Sequence, residues 1–474
     1  MSFLNYSFYF IFVSGSLLFS QNRQSTTLVY PPIRHAPIHK ATNMHLFAFM
    51  ALIGRTDITP SDPQGMAVTR LKSTDDPANN SDNDDLTAYG INAGQSNIIF
   101  NSSMQSLDVY EGKGRKQKLK KPRGIAANPD GDVYVTDTGN HRIVKLNNPG
   151  NYLTFVDAYG EKGSREGEFN NPRGIALDAA GNVYVADTDN NRVQVFDRAM
   201  KFLHCLGQKK DSSSYELFRP DGIAVASAGD DLFYKEEFLI VIDLNNSRIS
   251  KLTLDGKFTI GIHSNDYGYP SVFLTSVALD FYDNIWVTDM FNHCIHKFDR
   301  NLRYLTSFGH IGDGENEFFE PRSIAIWKKF GQVFIADKNS AQYFHIGTDI
   351  IKTDVFSQDS LIRFDFFLTE NSKITAVILD ERGNALEKIC SNKLMMVGEN
   401  VLTWDRKKRG TAKQGLSNLW KRVTGDSLAQ KTQSDSSNAA VNYPSGIYKL
   451  RLEAKTTYIY NRYFTKTKEI EFAL

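Results

Sequence analysis

Residues 171–196 read NPRGIALDAAGNVYVADTDNNRVQVF, and residues 121–146 read KPRGIAANPDGDVYVTDTGNHRIVKL. Each copy runs through short apolar–polar alternations, GIAL, VYVAD and RVQVF, split by Gly, Asn and Asp. Period-two runs of four to six residues bounded by turn formers are antiparallel strands. The phrase returns three more times, as RPDGIAVAS…FLIVIDLNNSRISKL at 219–252, LTSVALDFYDNIWVTDMFNHCIHKF at 274–298 and PRSIAIWKKFGQVFIADKNSAQYF at 321–344. The aspartates that close the second run, Asp137, Asp187, Asp243, Asp289 and Asp337, lie 50, 56, 46 and 48 residues apart. Four strands per unit of that length is the pattern of a propeller blade, not of a helical solenoid.

The repeated residues have local work to do. Gly124, Gly174 and Gly222 open the first strand, where neighbouring units crowd and a side chain would not fit. Four aspartates are followed three places on by an amide: Asp137 by Asn140, Asp187 by Asn190, Asp243 by Asn246 and Asp289 by Asn292. Short Asp and Asn side chains bond nearby backbone and close a tight turn. Arg142, Arg192 and Arg248 follow two residues later, placed to meet a carboxylate. A set that recurs with the fold period is read as architecture, because a catalytic residue is needed only once.

With PRGIA, VYVADT and NHRI or NNRV, the phrase resembles the NHL repeat, a family of six-bladed propellers. The resemblance covers about 97–347 and fades along it, Thr275 and Ser276 replacing Arg-Gly and Cys294 replacing the arginine. A sixth, degenerate first blade is placed at 62–114. There PQGMAV echoes PRGIAV, NIIFNSS is aligned with NVYVADT so that Asn101 takes the aspartate position, and 72–96 is a polar insert with little to bury. The last copy stops after its third strand, and HLFAFMALIG (45–54) is expected to supply the fourth and close the ring. The propeller then spans 45–347, with 21–44 as a linker.

After a second linker at 348–356, strand-like runs at 361–389, 398–410, 443–458 and 463–472 fit a small β-sandwich. Their order, with VILDERGN, GENVLTWD and PSGIYKLRLEA, resembles the FlgD-type immunoglobulin-like domain of secreted and surface bacterial proteins. The expected domain is 357–474. It has Trp404 in its core, Gly446 before a strand, and a Lys-, Gln-, Ser- and Asn-rich insert at 411–442 that reads as a mobile excursion anchored by Trp420. The fold class is all-β throughout.

Composition bounds the function. The 474 residues carry 41% hydrophobic and 23% charged side chains and a net charge of +1, so bulk charge draws the chain neither to nucleic acid nor to an anionic membrane. Residues 1–20 precede the first charged side chain, Arg23, and read as a secretory signal peptide or an N-terminal anchor. No later stretch is long and apolar enough to span a bilayer. Cys205, Cys294 and Cys390 have no short spacing and suggest neither a disulfide framework nor a cysteine-rich zinc site. Location outside the cytoplasm, whether periplasmic, extracellular or at the cell surface, therefore rests on the N-terminus.

A propeller offers its channel mouth, and the residues just before each first strand are placed to rim it: Gln64, Arg123, Arg173, Asp221, Thr275 and Arg322. Three arginines there either grip an anionic group or pair with neighbouring aspartates. Enzymatic use is less favoured. Amidating lyases among similar propellers hold zinc with three histidines, whereas only His141 and His293 occupy the corresponding turns here, short of the usual three ligands. No cofactor is expected, although a divalent metal stays open. Nor is there the cysteine cluster or basic top of the ubiquitin-ligase and RNA-binding relatives. The expectation is a monomeric binding module for a protein, peptide or glycan, with a channel-site lyase or hydrolase as the alternative.

Overall fold

A computed structural model of the chain describes residues 25–31, 39–74, 86–102, 106–208, 216–229, 232–406, 443–458 and 464–474. The expected signal or anchor at 1–20, the insert at 411–442 with Trp420, and most of the acidic tract 72–85 lie outside these residues. The chain divides into two compact units, 1–347 with 458–463, and 348–457 with 464–474.

In the first unit the described residues form six antiparallel sheets with blade-like strand order. The third shows the plan: Pro172–Leu177, Val183–Asp187, Arg192–Phe196 and Phe202–Leu206 lie side by side in sequence order. The second and third strands are buried on both faces, while the fourth is largely exposed. This is why VYVAD and RVQVF are rich in branched and aromatic residues: both faces pack against neighbouring sheets. Clusters such as Tyr184, Val193, Val195, Leu206, Ile223, Val225, Leu239 and Val241 join one sheet to the next.

The first strands stand next to one another in cyclic order, the sixth sheet returning to the first. Bonds at their tips hold them: Gly65 N–H to Arg123 O at 2.7 Å, Thr136 Oγ1 to Arg173 O at 2.7 Å, Thr188 Oγ1 to Pro220 O at 2.8 Å, and Ile324 N–H to Ser276 Oγ at 3.3 Å. The tight approach explains the glycines. A Cβ on Gly65, Gly124 or Gly174 would collide with the carbonyl oxygen of Arg123, Arg173 or Asp221 on the next strand.

Three expectations for this unit are corrected. Residues 45–54 do not close the last sheet: Asn43–Leu52 is an α-helix, with Thr42 Oγ1 accepting the His45 N–H at 3.3 Å and His45 Nδ1 accepting the Thr42 N–H at 3.4 Å. Its ten residues include no β-branched side chain, and the edge is already filled. Leu28–Val29 and Lys40–Thr42, from the segment expected to be a linker, pair with Ser340–Ile346. Finally, the expected insert 72–96 contains a strand, Leu86–Asn92, so Asn97–Ser102 is third in its sheet rather than second. The aspartate position belongs to Asn92, paired with Pro63 as Asp187 is with Pro172, and not to Asn101.

The second unit holds two antiparallel sheets. One contains Ile350–Gln358, Leu361–Leu368 and Gly398–Asp405, the other Ser372–Leu379, Ala385–Met395, Ile447–Thr456 and Lys466–Ala473. Alternate residues of both, including Ile362, Phe364, Phe366, Ile374, Trp404, Leu450, Leu452 and Phe472, form one core. Trp404 lies in it, its indole N–H bonded to Glu387 at 2.8 Å. The expected linker 348–356 is instead mostly strand, because IIKTDVFSQ pairs with 361–368.

Candidate ligand site at the hub

The turns after the second strands are carboxylate-centred, as their spacing suggested. Asp137, Asp187, Asp243 and Asp289 are fully buried, and Asp337 nearly so. One oxygen of Asp137 accepts the Lys120 N–H at 2.6 Å, and the other accepts Asn140 Nδ2 and Arg142 Nε, both at 2.8 Å. Asp187 repeats this with Asn170 N–H, Asn190 and Arg192, and Asp243 with Phe218 N–H and Arg248. The Asn246 side chain lies outside the described groups. Asp289 receives Phe273 N–H, Asn292 and His296. Asp337 takes Phe319 N–H and Ser340. Each carboxylate thus ties its own turn to the strand leading into the same sheet, which sets the position of the rim residue a few places on.

The fourth residue after the aspartate is left-handed: His141, Asn191, Ser247 and His293 have φ of 55°, 55°, 47° and 55°. Three of these side chains staple one sheet to the next. His141 Nδ1 accepts the Asn171 N–H at 3.1 Å, Asn191 Oδ1 the Arg219 N–H at 2.9 Å, and His293 Nδ1 the Glu320 N–H at 3.0 Å. The two histidines weighed as metal ligands therefore stand in the second and fifth sheets, each with one ring nitrogen engaged. Burial lowers the pKa of both, so both are neutral acceptors near pH 7.

All six residues expected at the channel mouth, Gln64, Arg123, Arg173, Asp221, Thr275 and Arg322, line one cavity of about 410 Å³. Asp62, Phe273 and Met290 join them, and none of these three was identified from the sequence. Beneath the polar rim the wall becomes apolar. Ala67, Ala126, Ala176, Ala224, Ala278 and Ala325, one from each sheet, line a narrower stretch of the channel. The signal was present in the sequence, as the alanine two places after each rim glycine or serine.

The charges on the rim are unevenly matched. Arg173 Nη1 is 2.6 Å from Asp221 Oδ2. Arg322 pairs with Asp62 and, at 2.9 Å, with Glu320. Gln64 donates to Asp62 at 2.8 Å, and the Thr275 hydroxyl meets that of Thr288 at 2.8 Å. Arg123 has neither an ion pair nor a side-chain hydrogen bond among the described residues. Burial, and then the like charges of Arg173 and Arg322 against the pull of Asp221 and Asp62, lower its pKa. A guanidinium remains charged under such a shift. The cavity lining therefore holds three cations against two carboxylates, with the unmatched cation at Arg123. Lys116, Lys118, Lys120 and Lys121 are exposed and outside the lining.

Such a site favours a small anionic group, because a desolvated guanidinium presents five donors in a plane to a carboxylate or phosphate. Comparison with known proteins identifies the repeat. The chain contains NHL repeats, with segments 119–146 and 169–196 matching that family model. No curated protein is similar enough in sequence to match the chain. Among solved structures, a catalytically inactive virginiamycin B lyase from Staphylococcus aureus with quinupristin is similar at 15% identity. It covers 56% of this chain and 79% of its own, with a TM-score of 0.38. A gluconolactonase from Xanthomonas campestris shows 12% identity, coverage of 60% and 86%, and a TM-score of 0.41. A Bacteroides thetaiotaomicron protein of unknown function shows 17%, 60% and 69%, and 0.43. Likeness at this level carries no activity across.

Proposed function

We propose that the chain is a secreted or cell-envelope binding protein, in which a six-bladed NHL-type propeller presents its hub cavity to a carboxylate-bearing partner, a peptide, glycan or protein. The second unit, read as a FlgD-type immunoglobulin-like sandwich, serves as a spacer or docking module. One observation carries this reading: among the described residues the half-buried guanidinium of Arg123 has no ion-pair partner, in a rim whose other arginines are paired. Asp62 and Asp221, the carboxylates of the lining, are held in ion pairs with Arg322 and Arg173, which favours capture over the lyase or hydrolase alternative.

Isothermal titration of the purified protein with two probes tests it: C-terminal peptides carrying free or amidated carboxyl ends, and uronate oligosaccharides against their neutral counterparts. Binding is expected for the charged form of one series only. Arg123→Ala should weaken it by tenfold or more with Tm unchanged, whereas Arg173→Ala should lower Tm because it strands the buried Asp221. Equal binding by Arg123→Ala, or no preference for charged ligands, overturns the assignment. N-terminal sequencing of protein recovered from each cell fraction tests the location.

A further inference from the structure

The fifth sheet departs from the rule that the second, third and fourth obey, and does so differently from the sixth, where Gln342 stands five places after Asp337. In three sheets the buried turn aspartate faces an arginine five places on, at 2.8 Å from the Nε of Arg142, Arg192 and Arg248. In the fifth sheet that place is Cys294, and the residue two further on is His296. The guanidinium is absent from beside this fully buried carboxylate, and two metal-ligating side chains stand in its place. A divalent cation is one partner that can answer a buried carboxylate's charge, and carboxylate, thiol and imidazole together are the donor types that hold one.

The geometry fits an ion. Asp289, Cys294 and His296 are all buried, and their donor atoms lie within 4.8 Å of one another. His296 Nε2 is 3.0 Å from Asp289 Oδ2 and 3.9 Å from Cys294 Sγ. Donors around a tetrahedral zinc with bonds of about 2.0–2.3 Å stand roughly 3.3–3.7 Å apart, so small shifts suffice. Behind the imidazole, Nδ1 lies 2.7 Å from Ser307 Oγ, which also meets the Tyr304 hydroxyl at 2.7 Å. That is the outer hydrogen bond that fixes a ligating histidine. Beside the set, Tyr267 is buried with a hydroxyl that has no hydrogen-bond partner among the described residues, its ring centroid 5.2 Å from that of His296.

We propose that Asp289, Cys294 and His296 form a structural site for zinc or a similar borderline divalent cation, which replaces the guanidinium of the sister repeats. The charges balance: carboxylate, thiolate and a dication sum to zero, as carboxylate and guanidinium do elsewhere. On binding, the thiol proton leaves to solvent. The imidazole proton moves from Nε2 to Nδ1, where it is donated to Ser307 Oγ, and the Nε2 lone pair turns to the metal. All three ligands are buried away from the hub cavity's lining, so the role assigned to the ion is to hold the turn and not to catalyse.

The test uses the full chain, stripped with chelator and titrated with Zn²⁺, and with Co²⁺ as a spectroscopic probe. One equivalent of zinc should be retained after dialysis. Cobalt should give a thiolate charge-transfer band in the near ultraviolet, and chelator should lower Tm by several degrees. The variant Cys294→Arg with His296→Gln recreates the Asp187–Arg192–Gln194 arrangement of the third sheet, in which Gln194 donates to Asp187 at 3.0 Å. It should fold, bind no zinc and ignore chelator. A wild-type protein that takes up no stoichiometric zinc and has a chelator-independent Tm overturns the proposal, and would mean that an imidazolium neutralises Asp289 unaided. Equal zinc uptake by wild type and double variant overturns it too.

Discussion

At the scale of single residues, the repeats act as controls for one another. The turn between first and second strands reads DAAGN at 178–182 and NPDGD at 128–132, with Gly181 and Gly131 at φ of 86° and 88°. The fifth sheet reads DFYDN, which puts Asp283 in the left-handed position at φ 59°. Asp283 is fully buried, and neither carboxylate oxygen has a hydrogen-bond partner among the described residues. Burial, with Asp280 adding to it, pushes this carboxyl up to about 7, and Glu236 adds further while Lys328 and Arg300 pull it back. A carboxyl whose folded pKa is raised stabilises the fold below its unfolded value and loses that contribution as pH rises to the folded value. Wild type should therefore lose stability between about pH 4 and pH 7 through this group. Asp283→Gly, which restores the sister residue and removes the buried charge, should be the more stable protein at pH 8 by about 2 kcal/mol. Denaturation curves at pH 4 and pH 8 check this, and an unchanged pH profile in the variant would remove Asp283 from the account. Unlike the turn carboxylates, whose Asp–Asn–Arg period is visible in the chain, this defect shows only once repeats are aligned and burial is known.

Elements were legible where their period was clean and obscure where local chemistry competed. VYVAD and RVQVF announce themselves as strands by alternation and β-branching. HLFAFMALIG does not alternate; it is apolar throughout, and so is equally compatible with a buried strand and with a helix. The decision lay at Thr42 and His45, which cap a helix, and in the edge already taken by TLVY and KAT. Leu28 is buried in the sixth sheet's core, and Tyr30 stacks on Phe344 with ring centroids 4.7 Å apart. In the helix only Met50 is buried, and Phe47 is 46% exposed. Closure therefore belongs to the earlier segment. Leu28→Ala should cost about 2–4 kcal/mol in urea unfolding, whereas Phe47→Ser should stay within about 0.5 kcal/mol. The reverse order would return the closing role to 43–54. The first sheet was misaligned by one strand for a related reason. Asn92 and Asn97, bonded to each other at 2.9 Å, do the work of Asp and Arg without looking like them.

For the molecule as a whole, the repeat period foretold the layout of the hub, since each of six rim positions was read from the residue before a first strand and all six line one cavity. What the chain could not display was pairing across sheets. Arg173 with Asp221 and Arg322 with Asp62 join residues far apart in sequence, and only their pairing singles out Arg123. The division into two units is also a statement about energetics. The core of the second unit draws on residues from 350 to 472, and four clusters of the repeat sheets, spanning Ala67 to Leu302, are built without them. Separate cores predict separate cooperative transitions. Calorimetry should resolve two, the larger belonging to the repeat unit because its enthalpy scales with the residues ordered. Phe364→Ala, which empties a fully buried site in the sandwich, should cost about 3–5 kcal/mol and lower the smaller transition alone. Val135→Ala, at a fully buried site in the second sheet, should lower only the larger. One transition that both substitutions move together would show instead that the two cores melt as a single cooperative body.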